Sequence, residues 1–332
     1  MSRLVSWVDP ETYLPLKEIN GQLVSSSNQY PIVNGIPNFI KNEIDDGQIQ
    51  VKNSFGYKWT RSNFGQHDDD FNKKAKRVVM EFIGLTENDL KIFDNKIILD
   101  TGIGSGSSAR LWASRAKEFH GVDISEAIFK VKNALHSSKN YILSQSDLNR
   151  LPYENEVFDI IVSLGVFHHT PNTKEALKNV VRTLKKDGIL FFYIYKKKSP
   201  IREFSDDYIR KFVSNMPHDE AWKVMEPITK FGKAIHDQKT IIDVPEDIPV
   251  LNIKKGKYDL QEFIYNYFFK CFWNNDYGFD DSVMTNFDWY HPKYSWRHSE
   301  NEIKNWCKEF NLNIDFLKET YSGYSCKITK NS

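Results

Sequence analysis

Three cysteines among 332 residues leave little for sulfur to do. Cys271, Cys307 and Cys326 cannot all pair and show no metal-ligand spacing, which excludes a disulfide framework and a cysteine metal centre. An excess of one charge is also missing. Lys plus Arg number 45 against 44 Asp plus Glu, a formal net charge of +1, which removes the bulk electrostatic case for nucleic acid or an acidic membrane surface. The run Lys196-Lys197-Lys198 reads as a solvated loop. No apolar stretch approaches the roughly 18–20 residues that a membrane span needs, and Met1-Ser2-Arg3-Leu4-Val5-Ser6-Trp7 lacks the apolar core of a secretory signal. These absences predict a soluble cytoplasmic chain with a small-molecule partner and no bound metal.

What is present concentrates in Ile97-Ile98-Leu99-Asp100-Thr101-Gly102-Ile103-Gly104-Ser105-Gly106. An apolar run suited to a buried parallel strand ends in a carboxylate, and three glycines follow in alternation before a helical pattern. That helix is expected to aim its first N–H groups at a ligand. The dinucleotide fingerprint is similar, but its spacing is G-x-G-x-x-G. Here the glycines are tighter and an acid precedes them, which disfavours a pyrophosphate and suits a cationic amine. A dinucleotide-dependent dehydrogenase is the rival reading.

Later segments repeat the theme. Glu118-Phe119-His120-Gly121-Val122-Asp123 reads as a second strand ending in an acid suited to ribose hydroxyls, with Ser125 as cap of the following helix. Tyr141-Ile142-Leu143 leads to Ser146-Asp147-Leu148 and Leu151-Pro152-Tyr153, then Phe158-Asp159-Ile160-Ile161-Val162. Asp159 reads as a strand-edge structural residue. A helical pattern over 177–184, a stop at Lys185-Lys186-Asp187-Gly188 and the strand 189–195 complete a β-α-β-α-β-β-α-β order between 96 and 195.

In these motifs the chain resembles the class I S-adenosylmethionine-dependent methyltransferases of the type 11/12-like kind. The resemblance implies an α/β fold: a doubly wound, seven-stranded Rossmann-like sheet. It implies S-adenosyl-L-methionine as cofactor, held by Asp100, Gly102, Gly104, Gly106, Asp123, Ile124, Asp147, Leu148 and Leu164, with Asp147 at the adenine. Phe55-Gly56-Tyr57-Lys58-Trp59 resembles a Phe-Gly-x-x-Trp segment that precedes the core in some of these enzymes. Trp59 either covers the cofactor, offering its ring face to the cationic sulfur, or only packs on the sheet.

Five segments are expected. Residues 1–50 form a small separate module, whose Tyr30-Pro31-Ile32-Val33-Asn34-Gly35-Ile36-Pro37-Asn38-Phe39 resembles the last strands of a zinc ribbon. Its upstream stretch Leu23-Val24-Ser25-Ser26-Ser27-Asn28-Gln29 has no cysteine or histidine, so no zinc is expected. Residues 51–95 form a helical cap, with Asp68-Asp69-Asp70 as a solvated turn, a helix over 71–83 and a capping box at Thr86 and Asp89. The cofactor core spans 96–195. A mainly helical insertion spans 196–287, with helices near 202–214, 219–236 and 258–272, a connection punctuated by Pro245 and Pro249, and the part of a substrate lid. The aromatic face of Phe263, Tyr267, Phe268 and Phe272 is either packing or a homodimer surface. Residues 288–332 return to the core as a helix capped by Ser299 and Glu302, with Ile303 and Trp306 inward, and a β-hairpin over 312–317 and 324–328. Asp288-Trp289-Tyr290-His291-Pro292 and Arg297-His298-Ser299 resemble a methyltransferase subgroup linked to surface-polysaccharide biosynthesis.

A hydroxyl acceptor needs a base. His168 and His169, closing Ser163-Leu164-Gly165-Val166-Phe167-His168-His169, stand where such folds place chemistry. They serve as base or shape the loop, with Asn172-Thr173 capping the next helix. His291, Tyr290, Asp288 and Arg297 are second candidates, and Tyr193 and Tyr195 share one strand face. The leading acceptor is a sugar, nucleotide-sugar or surface-glycan precursor. A lipid-like or quinone-like molecule and a non-catalytic cofactor-binding scaffold are the alternatives.

Overall fold

A computed structural model describes residues 3–40, 44–61, 69–136, 138 and 140–332, the side chains of 69–75 excepted. Its contacts divide the chain into two units. One holds the N-terminal segment, the chain as far as Lys196, and Trp296–Ser332; the other holds Lys197–Ser295 and the end of the first helix.

The first unit opens with an antiparallel meander of β1 (Lys17–Ile19), β2 (Gln22–Val24), β3 (Gln29–Val33) and β4 (Ile36–Pro37). Asn34 and Gly35 both take positive φ, 52° and 74°, as a two-residue hairpin turn demands. No cysteines tie this meander; a carboxylate does. Asp9 accepts from the Ser25 hydroxyl at 2.6 Å, Asn28 Nδ2 at 2.8 Å and the Tyr30 hydroxyl at 3.0 Å. Burial works to raise the Asp9 carboxyl, yet these bonds outweigh it and hold the group well below the usual carboxylate range. The meander is not the separate unit expected over 1–50. Trp7, Leu23, Tyr30 and Phe39 share a core with Val122, Tyr153 and Phe158, and Trp7 stacks on Tyr153 with centroids 5.1 Å apart. So small a sheet lacks a core of its own and borrows one.

Two helices follow, α1 (Asp46–Arg61) and α2 (Asp69–Ile83). Asp69 and Asp70 open α2 rather than forming a turn, and Asp68 lies outside the described residues. A short 3-10 segment, Glu87–Phe93, starts at Thr86, whose N–H and hydroxyl donate to Asp89 at 2.8 and 2.6 Å.

The core then runs β5 (Ile97–Thr101), α3 (Arg110–Ala113), β6 (Glu118–Asp123), α4 (Val131–Ala134), β7 (Tyr141–Gln145), β8 (Phe158–Leu164), α5 (Thr173–Thr183) and β9 (Leu184–Tyr195). Every residue of β6 is buried, as in strands covered on both faces. Lys185–Gly188 is no separate stop. It lies inside β9, with Asp187 at φ 59° and a register shift against β8. Asp159 keeps its structural part, accepting the Ile97 N–H at 2.8 Å and pairing with Lys185 at 2.8 Å.

The second unit contains α6 (Pro200–Val213), α7 (His218–Asp237), the hairpin β10 (Ile241–Val244) and β11 (Gly256–Asp259), α8 (Leu260–Tyr267) and α9 (Gly278–Tyr290). The hairpin occupies the connection read from Pro245 and Pro249, and α8 stops at Tyr267 instead of running to 272. The unit is larger than expected: α9 absorbs Asp288 and Tyr290, and the core resumes only at Trp296. Asp280 and Asp281 suit the first turn of α9, and Val283, Met284 and Phe287 give it a buried stripe. A buried Asp206 organises this unit. It accepts from Arg202 Nε at 2.6 Å, Trp289 Nε1 at 2.8 Å and the Tyr290 hydroxyl at 2.8 Å, while the Arg202 guanidinium lies between the Tyr265 and Trp289 rings.

Back in the first unit, α10 (Glu300–Glu309) carries the Ser299–Glu302 capping box, and β12 (Leu312–Glu319) and β13 (Gly323–Lys330) close the sheet. The seven-stranded order is β12-β13-β9-β8-β5-β6-β7, with β13 antiparallel to both neighbours. Strand order reverses between β5 and β8, which opens a crevice at their carboxyl ends.

Candidate active site

At that crevice the turn after β5 is built for glycine. Gly102, Gly104 and Gly106 take φ of 64°, 56° and 78°. A Cβ on Gly102 would stand 2.5 Å from a Val166 methyl, and one on Gly104 2.8 Å from the Trp59 ring. The helix expected next is short. α3 has four residues, Arg110–Ala113, and ahead of it the Ser105 and Ser107 hydroxyls bond each other at 3.0 Å. The turn points its own amide inward instead: the Gly104 N–H donates to Asp123 Oδ2 at 2.8 Å.

Two carboxylates face this turn. Asp100 accepts from Trp112 Nε1 at 2.9 Å. Burial pushes its pKa up to about 8, the Trp112 bond opposing and the Asp123 charge adding. Asp123 takes the Ser125 N–H at 2.8 Å and the Ser125 hydroxyl at 2.6 Å, and burial raises it despite those bonds. Two buried acids with raised pKa values fit a ligand that brings an ammonium and a pair of hydroxyls. Asp147, two residues past β7, accepts the N–H and side-chain amide of Asn149 at 2.9 and 3.1 Å and is also raised by burial. Leu148 is buried beside it, and Ile124 and Leu164 are half-buried at the ends of β6 and β8.

The loop after β8 holds His168 and His169, both buried. His168 stacks on Tyr195 with centroids 3.7 Å apart, and its Nδ1 accepts the Tyr195 N–H at 3.3 Å. That bond puts the ring proton on Nε2, which has no partner among the described residues. Burial and the nearby His169, His298 and Lys58 charges hold His168 far below its ordinary pKa. In this arrangement it is a neutral ring that presents Nε2–H, which suits the loop-shaping reading of His168. His169 meets the Phe55 ring edge-on at 4.8 Å. Tyr193 and Tyr195 do share a face, Tyr193 stacking on Phe82 at 4.3 Å.

His291 belongs elsewhere. It follows α9 in the second unit, where Nε2 lies 3.1 Å from the Met216 carbonyl and burial lowers its pKa to about 4. Tyr290 is spent on Asp206 and on the Lys270 carbonyl. Both hold the insertion together. Of the second candidates, Arg297 alone lies in the core unit.

Sequence reasoning placed a helical cap from residue 51 on but not the start of α1 at Asp46, and it singled out no role for Lys58. Gln48, Val51, Ser54 and Lys58 form the buried stripe of α1, so a lysine occupies a core-facing position. Its ammonium stands 4.3 Å over Trp59 and 5.2 Å over Phe55. The spacing of Val51, Phe55 and Lys58 at helical intervals was the available signal.

Residues 99–192 match the model of the methyltransferase domain family. This segment is a class I S-adenosylmethionine-dependent methyltransferase domain. Among curated relatives of the methyltransferase domain, the uncharacterized methyltransferase YcgJ of Bacillus subtilis is 30% identical over 108 residues, 31% of this chain and 43% of that protein. The phthiotriol/phenolphthiotriol dimycocerosates methyltransferase of Mycobacterium leprae is 24% identical over 119 residues, 36% and 44% of the two chains. The ubiquinone biosynthesis O-methyltransferase of Idiomarina loihiensis is 29% identical over 113 residues, 33% and 46%. The chain thus spans about half the length of the curated relatives it matches. No helix among the described residues is long and apolar enough to cross a membrane.

Proposed function

We propose that this chain transfers a methyl group from S-adenosylmethionine to a hydroxyl of a small acceptor, a sugar, nucleotide-sugar or surface-glycan precursor. The observation that carries the reading is the pair of buried carboxylates, Asp100 and Asp123, flanking a turn in which three positive-φ glycines bring backbone close. Asp100 takes the donor's ammonium and Asp123 its ribose hydroxyls. Asp147 and Leu148 border the adenine, Ile124 and Leu164 line the walls, and Trp59 covers the turn at Gly104. Bound there, the cofactor supplies an activated methyl on a sulfonium, so positioning carries much of the rate.

The chain's own contribution at the acceptor is orientation. His168 offers Nε2–H to the acceptor oxygen, and Tyr195 fixes that tautomer through its backbone N–H. His169 remains the candidate for the acceptor proton. The Asp288–Pro292 and Arg297–Ser299 segments support a glycan-related acceptor, although they fall in different units. A lipid-like or quinone-like acceptor is the second reading. It is favoured by relatives named for phthiotriol and ubiquinone methylation.

A labelled-methyl transfer screen against nucleotide-sugars, glycans and quinols tests both readings. Methylated sugar supports the first and methylated quinol the second. Tight S-adenosylhomocysteine binding with no product from any acceptor sinks both and leaves a cofactor-binding scaffold.

A further inference from the structure

A surface helix ordinarily turns its apolar stripe inward and its charges outward. α6 does the reverse. Arg202, Asp206 and Arg210 are buried on its inner face, while Phe204, Tyr208 and Phe212 stand 74%, 60% and 51% exposed. Recurring every four residues, these aromatics form one ridge along the outer face. The ridge continues into further apolar surface. Tyr208 and Phe212 meet with centroids 5.1 Å apart, Phe204 and Tyr208 share a groove with Phe269, and Phe269 stacks on Phe231, itself 48% exposed. At about 150–250 Å² per aromatic side chain, the exposed parts of the ridge and Phe231 come to roughly 450 Å². A patch of that size marks an interaction site, and with its rim it approaches the ~600 Å² per partner of the smaller stable interfaces.

The flank of the ridge decides what fits it. Asp207 and Lys211, both exposed, each precede a ridge aromatic, with the acid nearer the helix N-terminus. Two copies of α6 crossing antiparallel about a two-fold axis at Tyr208 pack ridge into groove. Asp207 of each copy then faces Lys211 of the other, whereas a parallel pair would set like charges together. An anionic membrane calls for Lys and Arg around the apolar face, and here Glu203 and Asp207 put acid there. We propose that this chain forms a homodimer through α6, with the two helices antiparallel and the contact isologous. The aromatics near α8 offer no such surface, since Phe263, Tyr267 and Phe268 are half-buried and pack on one another. Dimerisation through α6 does not depend on the methyl-transfer reading.

Sedimentation velocity on the full chain is expected to show a dimer that grows with concentration across the micromolar range. Tyr208→Asp, which leaves the buried face of α6 intact, should weaken it by about ten-fold or more while thermal unfolding stays unchanged. Lys211→Glu alone should weaken it about five-fold, because it sets acids against acids. Asp207→Lys combined with Lys211→Glu should restore it, since the exchange rebuilds both pairs. That recovery separates a self-pair from any other occupant of the face. A wild type that stays monomeric at its highest soluble concentration, a dimer that survives Tyr208→Asp, or a double variant that does not recover overturns the proposal. Flotation with phosphatidylcholine vesicles runs in parallel. A monomer that binds them, and loses them in Tyr208→Asp, assigns the face to lipid and overturns the dimer.

Discussion

The two units bury charge in opposite ways. In the insertion, Asp206 is paired with Arg202 and saturated by Trp289 and Tyr290, so its charge is spent on holding helices together. In the core, Asp123 is raised by burial although three donors reach it, whereas Asp100 has one indole bond and a pKa pushed up to about 8. A satisfied buried charge is architecture. An under-satisfied one at a sheet's switch point is a site.

The contrast can be broken from either side. The largest effect is expected in the insertion: Asp206→Ala strands a fully buried guanidinium and should destabilise that unit by about 3–5 kcal/mol. Hydrogen exchange should show the loss over 197–295, with S-adenosylhomocysteine affinity in the core nearly unchanged. If cofactor affinity collapses with it, the two kinds of burial are not separable. In the core, Gly104→Val meets a positive φ, costing about 1–2 kcal/mol, and drives its side chain into the Trp59 ring. Calorimetry should show cofactor affinity falling by about 100-fold, equivalent to some 2.7 kcal/mol. A retained affinity would mean that the turn does not cradle the donor.

The same comparison shows what was legible in the sequence. The core strands and their acids were readable, because buried parallel strands are continuous apolar runs and the turn needs glycines wherever φ is positive. The capping boxes at Thr86 and Ser299 were readable from three-residue spacing alone. The insertion was only half legible. The β10–β11 hairpin is short and largely half-buried, and α9 buries the polar Ser282 and Asn286 along with its apolar residues, so neither declares a clean period. The roles of His168 and His291 were not legible at all. A histidine's proton sits where a neighbouring backbone group puts it, and the Tyr195 N–H and the Met216 carbonyl reach those rings through tertiary packing. Lys58 was hidden because a lysine in a periodic stripe reads as a solvated interruption.

A pH titration sharpens the contrast further. The folded Asp100 pKa of about 8 stands above its ordinary 3.8, so between roughly pH 4 and 8 the folded chain keeps a proton that the unfolded chain has lost. Stability of the cofactor-free protein therefore falls as pH rises through that window, by up to about 1.4 kcal/mol per pH unit. Asp100→Asn should flatten the slope measured by thermal unfolding, and should also weaken S-adenosylmethionine by removing the partner of its ammonium. A variant with the wild-type slope would mean that the folded Asp100 ionises at its ordinary value and holds no extra proton in this window.

The smallest effect discriminates most finely. If His168 is a neutral donor held by the Tyr195 N–H, then His168→Gln, whose side-chain amide can still donate, should lower turnover only about five-fold, the worth of roughly one hydrogen bond of 1 kcal/mol. The pH profile of turnover should keep its shape between 5.5 and 8, since a ring held far below its ordinary pKa has no proton to gain there. His169→Gln, by contrast, should remove any acid limb that the wild type shows. Loss of that limb in the His168 variant would assign the base to His168 and require Nδ1 to release the Tyr195 amide during turnover. The 3.3 Å length of that bond makes this the contact in the loop most open to such a change.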